Sequence, residues 1–176
     1  VLTGACEPTG RLAETFPARL EDTPSYGNFP GDGSVCDYAE GIYVGYRWYD
    51  KRKINPQFAF GQGEGYTQFA YRDISLSAGE LDADGAVQVN VTVQNIGTRK
   101  GREVVQLYAA QESGQWGYVR QLKGFETLEL EPGQIGHVSF TLRAEDLSVW
   151  SEREQRFWVQ DGVYSLEAAH HSRDIR

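Results

Sequence analysis

Apolar and polar residues alternate most strictly at residues 87–93, where Val87, Val89, Val91 and Val93 are separated by Gln88, Asn90 and Thr92. Successive side chains of a strand point to opposite faces, so four β-branched side chains share one face and the other face is polar. This predicts a core strand of an antiparallel sheet with one wet face, ended by the turn signal Asn95-Ile96-Gly97. Runs of similar character occupy residues 69–76, 103–109, 122–130, 135–142, 157–159 and 163–168. Gly79 with Gly85, Glu131-Pro132-Gly133 and Gln160-Asp161-Gly162 supply turns between several of them, and Ala144-Glu145-Asp146-Leu147 reads as a short turn of helix.

About seven short strands without a sustained helical period predict a mainly β fold, an antiparallel sandwich of the immunoglobulin or fibronectin type III kind. Val87, Val89, Val91, Val93, Val105, Leu107, Phe140 and Leu142 are its expected buried set. Composition changes near residue 66. Residues 1–65 crowd Gly, Pro and aromatic residues into short motifs and are too few and too loop-rich to bury a core of their own. Residues 12–16 fit a strand stopped by Pro17, and residues 41–51 a short helix or strand. The latter carries Ile42, Tyr43, Val44, Tyr46, Trp48 and Tyr49, more apolar surface than a solvated loop displays. Residues 1–65 are therefore expected to lie against residues 66–176, a second copy of the chain or another subunit.

At 176 residues the chain is too short for a (β/α)8 barrel, which needs about 250. The 17 Lys and Arg against 25 Asp and Glu give a net charge of −8, a field that repels nucleic acid and anionic lipid. No apolar run approaches a membrane span, and Val1-Leu2-Thr3-Gly4 does not begin a signal peptide, so a soluble chain is expected. Cys6 and Cys36 have neither CxxC spacing nor a nearby His, which predicts unlinked thiols and no metal site. Of the three histidines, His170 and His171 should point to opposite faces of a strand and, with His137, are expected to be solvated strand-end residues. Gly61-x-Gly63-x-Gly65 lacks the strand-to-helix context of a nucleotide loop and reads as a glycine-rich turn, so no cofactor is expected. Asn90-Val91-Thr92 fits the N-glycosylation sequon, which matters only in a eukaryotic secretory setting. Ser113-Gly114-Gln115-Trp116-Gly117-Tyr118 is expected to be an exposed loop whose aromatics pack or touch a glycan.

Several motifs in series resemble those of family 3 glycoside hydrolases of the β-glucosidase type. Gly10-Arg11-Leu12-Ala13-Glu14-Thr15-Phe16-Pro17 resembles that family's GKLPVTFP segment, and residues 38–50 (YAEGIYVGYRWYD) resemble YxEGIFVGYRYYD. Residues 58–69 (FAFGQGEGYTQF) are similar to FPFGHGLSYTTF, with Ala59, Gln62 and Glu64-Gly65 departing from the usual Pro, His and Leu-Ser. Glu103-Val104-Val105-Gln106-Leu107-Tyr108, Leu122-Lys123-Gly124-Phe125 and Ser172-Arg173-Asp174-Ile175-Arg176 continue the likeness in order. The resemblance implies that residues 1–65 are the tail of an α/β sandwich domain, a loop-rich remnant here, and that residues 66–176 are a fibronectin type III-like domain. It implies as partners the remaining domains of a parent glycosidase, or a second copy of the chain, and a β-glucoside as the parent's substrate.

Retaining glycosidases need a carboxylate nucleophile and an acid/base carboxyl about 5 to 5.5 Å apart. By the resemblance, the family's pair lies in the barrel and in an earlier part of the α/β domain, and neither motif matches a position here. Acting alone, the chain would have to use Asp37, Glu40, Asp50 or Glu64, which sit among Tyr and Trp residues able to stack on a sugar. The plainer reading makes Glu40 a hydrogen-bonding turn residue, the aromatics interface filler and Arg47 an ion-pairing or stacking residue. Three functions follow: a structural part of a β-glucosidase, a free-standing carbohydrate-binding or adhesion module, or a minimal self-sufficient β-glucosidase.

Overall fold

The computed structural model describes residues 1–114 and 117–175. Strands β1 (Phe69–Leu76), β2 (Ala86–Asn95) and β5 (Ile135–Arg143) form one antiparallel sheet in the order β1-β2-β5. Strands β3 (Gly101–Gln111), β4 (Gln121–Leu130), β8 (Tyr164–His171) and β9 (Asp174–Ile175) form the other in the order β4-β3-β8-β9. The register places Val87 opposite Leu142, Val89 opposite Phe140 and Val91 opposite Val138, so the apolar face of β2 meets the apolar face of β5. Across the sandwich these side chains pack on Val105, Leu107 and Ala109 of β3 and Ala168 of β8. All eight residues expected in the core are buried. The homogeneous interior follows from strict alternation, since a one-residue slip would move every valine into water.

The turn after β2 shows why Asn95 stands there. It is fully buried, and its Nδ2 donates to the carbonyls of Arg99 (2.7 Å) and Leu130 (2.9 Å). Its Oδ1 accepts from the Thr67 hydroxyl (2.7 Å) and the Gly97 N–H (3.0 Å). A buried amide so saturated costs little and fixes the loop geometry.

Several boundaries differ from the alternation pattern. The strand expected at 157–159 is Arg156–Trp158 (β7), and it pairs with Val149–Ser151 (β6), which alternation alone did not single out because three residues are too few to show a period. The strand expected at 163–168 starts one residue later and runs to His171. Ala144–Leu147 is a single 3-10 turn, as expected. Residues 12–16 are not a strand. Only Phe16 and Phe58 form an isolated bridge, with Leu12 N–H to Gln62 O (2.9 Å) and Gly61 N–H to Leu12 O (2.8 Å) continuing the contact. Pro17 offers no N–H beyond it, and the facing chain turns at Gly61, so a ladder cannot lengthen.

Within residues 41–51 the choice between helix and strand falls to a helix, α1 (Tyr46–Arg52). Gly45 enters it at φ 55°, and Lys53 closes it in the left-handed region with its N–H on the carbonyls of Asp50 and Tyr49. Tyr46, Tyr49 and Asp50 recur at the helical spacing of one face. Tyr49 is buried, while Val44, expected to pack, is exposed. Cys6 and Cys36 are exposed free thiols.

Replacing Val91 by Ala removes two methyl groups from this core, and urea denaturation should show a loss of about 2 kcal/mol. Asn90→Thr on the wet face should stay within about 0.5 kcal/mol. Equal effects of the two substitutions would contradict the register.

Candidate functional site

The outer face of the four-stranded sheet carries Gln106 and Tyr108 of β3, and residues 46–61 cover it. Gln106 is 3% exposed, and its Nε2 donates to the carbonyls of Gly61 (3.2 Å) and His170 (2.7 Å). Its Oε1 accepts from the Tyr108 hydroxyl at 2.7 Å. Gly61, at φ +79°, comes so near that a Cβ there would lie 2.3 Å from Gln106 Oε1. The glycine run therefore serves close backbone approach, and Gln62, which departs from the family pattern, caps the same bend by accepting from the Ala59 N–H at 2.9 Å. Tyr46 stacks on Phe60 (5.0 Å between ring centres), meets Tyr108 edge-on (5.7 Å), and accepts from the Leu122 N–H (2.9 Å). Burial, followed by the neighbouring Tyr46, raises the Tyr108 phenol well above its ordinary value, so it remains a donor.

A second fastening closes one end of the sandwich. Glu103 of β3 is 2% exposed and faces His170 Nδ1 at 3.1 Å and Arg11 at 3.7 Å. The Tyr71 hydroxyl of β1 donates to Ala169 O (3.0 Å) and lies 3.4 Å from Glu103. Burial first, then the Glu103 charge, push the Tyr71 phenol far up. His170, expected to be solvated, instead lies edge-on to the Tyr71 ring, 4.6 Å between ring centres. Its position near the chain's end gave no sign of this, because Glu103 reaches it only through the pairing of β3 with β8, and Tyr71 only through the stacking of the two sheets. Burial lowers the pKa of His171, against the opposing pull of Asp174, and its Nδ1 accepts from the Arg173 N–H at 3.2 Å.

The four candidate carboxylates have different surroundings. Asp50 on α1 is held by Arg120 (2.8 Å) and Arg173 (3.2 Å), while Arg120 also reaches Glu167 at 3.6 Å. Burial works against the Arg120 charge, but Asp50 and Glu167 outweigh it and raise its pKa. Burial, then the hydrogen bond to Glu167, carry the Tyr118 phenol up to about 12. Glu64 is exposed and lines a different groove of about 490 Å3, beside Glu7, Arg11, Glu103 and His170. Asp37 is exposed, and Glu40 accepts a hydrogen bond from Asn28 Nδ2 at 3.3 Å, as a turn residue would. Asp50 and Glu64 thus line separate clefts.

Among the described residues Arg47 makes neither the ion pair nor the ring stack expected of it, and its Nε is buried without a hydrogen-bond partner. Arg52, one helical turn beyond Trp48, stacks on that ring instead, at 5.0 Å. No described cluster of three His, Cys, Asp or Glu residues has the arrangement of a metal site. Of the 113–118 loop, Gln115 and Trp116 lie outside the described residues, as does Arg176 of the terminal motif. Asn90 of the sequon is exposed in the middle of β2. No described helix is long and apolar enough to cross a membrane.

Residues 103–172 match the fibronectin type III-like domain family. The chain is 40% identical to thermostable beta-glucosidase B of Acetivibrio thermocellus over 176 residues, covering 99% of this chain and 23% of that protein. It is 36% identical to a beta-glucosidase of Bacteroides ovatus, covering 100% of this chain and 24% of that protein. The crystal structure of the Bifidobacterium adolescentis GH3 beta-glucosidase superposes with a TM-score of 0.92 at 34% identity, over 99% of this chain and 26% of that one. The chain spans about a quarter of the length of the curated relatives it matches.

Two outcomes follow from the Glu103 cluster. Glu103→Ala leaves Arg11 without its anion in a partly buried setting and should cost about 3 kcal/mol in denaturant unfolding. A loss no larger than that of an exposed substitution would show that the cluster is not a fastening. His171 protonates less readily folded than unfolded, so its contribution is complete above its ordinary value of 6.5 and is lost as pH falls. Melting temperatures between about pH 7.5 and 5.5 should therefore decline less in His171→Gln than in the parent chain. Parallel declines would contradict this.

Proposed function

We propose a structural role for this chain, which is similar over nearly its whole length to about a quarter of the length of β-glucosidases and over residues 103–172 to the fibronectin type III-like domain family. In this reading the parent enzyme hydrolyses terminal β-D-glucosyl residues with retention, and this portion supports its fold without supplying the catalytic pair. The observation that carries the reading is the engagement of Asp50: two arginines at ion-pair distance occupy the one helical carboxylate among the candidates. A nucleophile must instead reach an anomeric carbon with a second carboxyl about 5 to 5.5 Å away. Asp37 and Glu64 stand exposed.

Residues 1–65 are, on the same reading, the tail of an α/β domain and residues 66–176 the terminal sandwich. The scarcity of regular structure before β1 supports this division. Tyr38 (83% exposed) and Phe29 (74% exposed) leave apolar surface on the first segment that the remaining domains of a parent enzyme would cover.

The test is an assay of the purified chain with an aryl β-glucoside, using a host without β-glucosidases of its own. Turnover should not exceed that of a buffer blank, because incidental carboxylates do not approach the roughly 8 to 23 kcal/mol of barrier lowering typical of enzymes. Turnover abolished by a fluorinated glucoside that labels Asp37, Glu40, Asp50 or Glu64 would make this a self-sufficient enzyme and overturn the reading.

A further inference from the structure

The two sheets are unequal along one side of the sandwich. β9 pairs with β8 only through Ala169 with Ile175 and His171 with Asp174. The preceding stretch of β8, Tyr164 to Ala168, pairs with β3 on one side and, among the described residues, has no strand on the other. Beside this open edge lies a cleft of about 490 Å3 between the sheets, lined by Leu76, Leu81, Val87, Leu142, Tyr164 and Leu166. Sandwich interiors are close-packed, so an apolar space of this size opening beside an unpaired strand is the space of side chains another strand would bring.

Edge strands are ordinarily blunted by bulges, Pro or Lys. β1, the neighbouring edge of the other sheet, has a register shift between Tyr71 and Asp73 and carries Arg72 and Asp73 there. The open stretch of β8, Tyr-Ser-Leu-Glu-Ala, has no Pro and an unbroken register with β3, and its one charge, Glu167, is engaged by Arg120 and Tyr118. Glu80 and Asp161, both acidic, are the charged residues lining the cleft.

We propose that the open edge of β8 and the adjoining cleft form a docking site for an extended strand of a second polypeptide. The strand adds antiparallel to β8, places apolar side chains into the cleft at alternate positions, and carries basic residues toward Glu80 and Asp161. Backbone hydrogen bonds to β8 supply affinity, and the cleft selects side chains. The cleft shares no lining residue with the grooves at Asp50 and at Glu103, and the inference is independent of the proposed structural role.

The probe is a soluble fluorescent peptide, Lys-Lys-Val-Thr-Val-Thr-Val-Lys, titrated into the full chain and followed by anisotropy and amide hydrogen exchange. Saturable binding with new protection confined to the amides of residues 164–168 is expected. The same peptide N-methylated at alternate residues should not bind, and Leu76→Glu, at the 47% exposed rim, should weaken binding by roughly tenfold with an unchanged melting temperature. Absence of binding, protection on β1 or β4 instead, or equal binding of the N-methylated peptide would overturn the proposal. A concentration-dependent dimer that excludes the peptide would also overturn it, by making a second copy of this chain the occupant.

Discussion

A buried polar group must find its hydrogen-bond partners, and two such groups on β3 find one partner each beyond the sandwich. Gln106 lies on the outer face of the sheet, where its amide needs the Gly61 carbonyl. Glu103 closes the end of the core, where its charge is answered by Arg11 and by His170. If residues 1–65 were peeled away, an amide, a carboxylate and the ring of Tyr108 would have to be rehydrated or left unpaired. Neutral backbone contacts at Leu12, Gly61 and Ser172, whose N–H donates to Phe60 O, then follow from the same placement. The loop-rich segment holds its shape because the sheet supplies the surface that it cannot build for itself.

This constraint explains what was legible in the sequence. The period of two along β2 depends on local geometry alone, so the valines and their burial were readable directly. Asn95-Ile96-Gly97 was readable as a turn for a related reason, since Asn and Gly act on their own backbone. The Tyr and Trp residues at 42–49 announced that the segment must pack, but not that Tyr46 would meet Phe60 and Tyr108. That meeting is set by long-range docking. Glu103 and His170 escaped notice because they are distant in sequence and come together only when β3 and β8 pair. Arg47 and Arg52 show the converse error: neighbouring aromatics invite a stack, and helical spacing decides which arginine makes it.

The same economy bears on chemistry. Asp50, the candidate carboxylate on the helix, is spent on Arg120 and Arg173, so the aromatic-rich segment that suggested a sugar site is engaged in anchoring. The likeness to beta-glucosidases about four times as long fits a portion whose work is to present a stable surface. Buried ion pairs are weak evidence of net stabilisation, since replacing both partners by apolar groups can be neutral. What they give here is position: each of the two clusters joins residues 1–65 to the sandwich at a defined place.

Native-state hydrogen exchange measures that joining most directly. The Gly61 amide, bonded to Leu12 O, and the Val105 amide on β3 report the two halves of the chain. If the segment and the sandwich are one cooperative unit, both amides should exchange through the same opening free energy and lose protection together as urea is added. A Gly61 amide that exchanges through a much smaller opening, insensitive to urea while Val105 stays protected, would contradict the account.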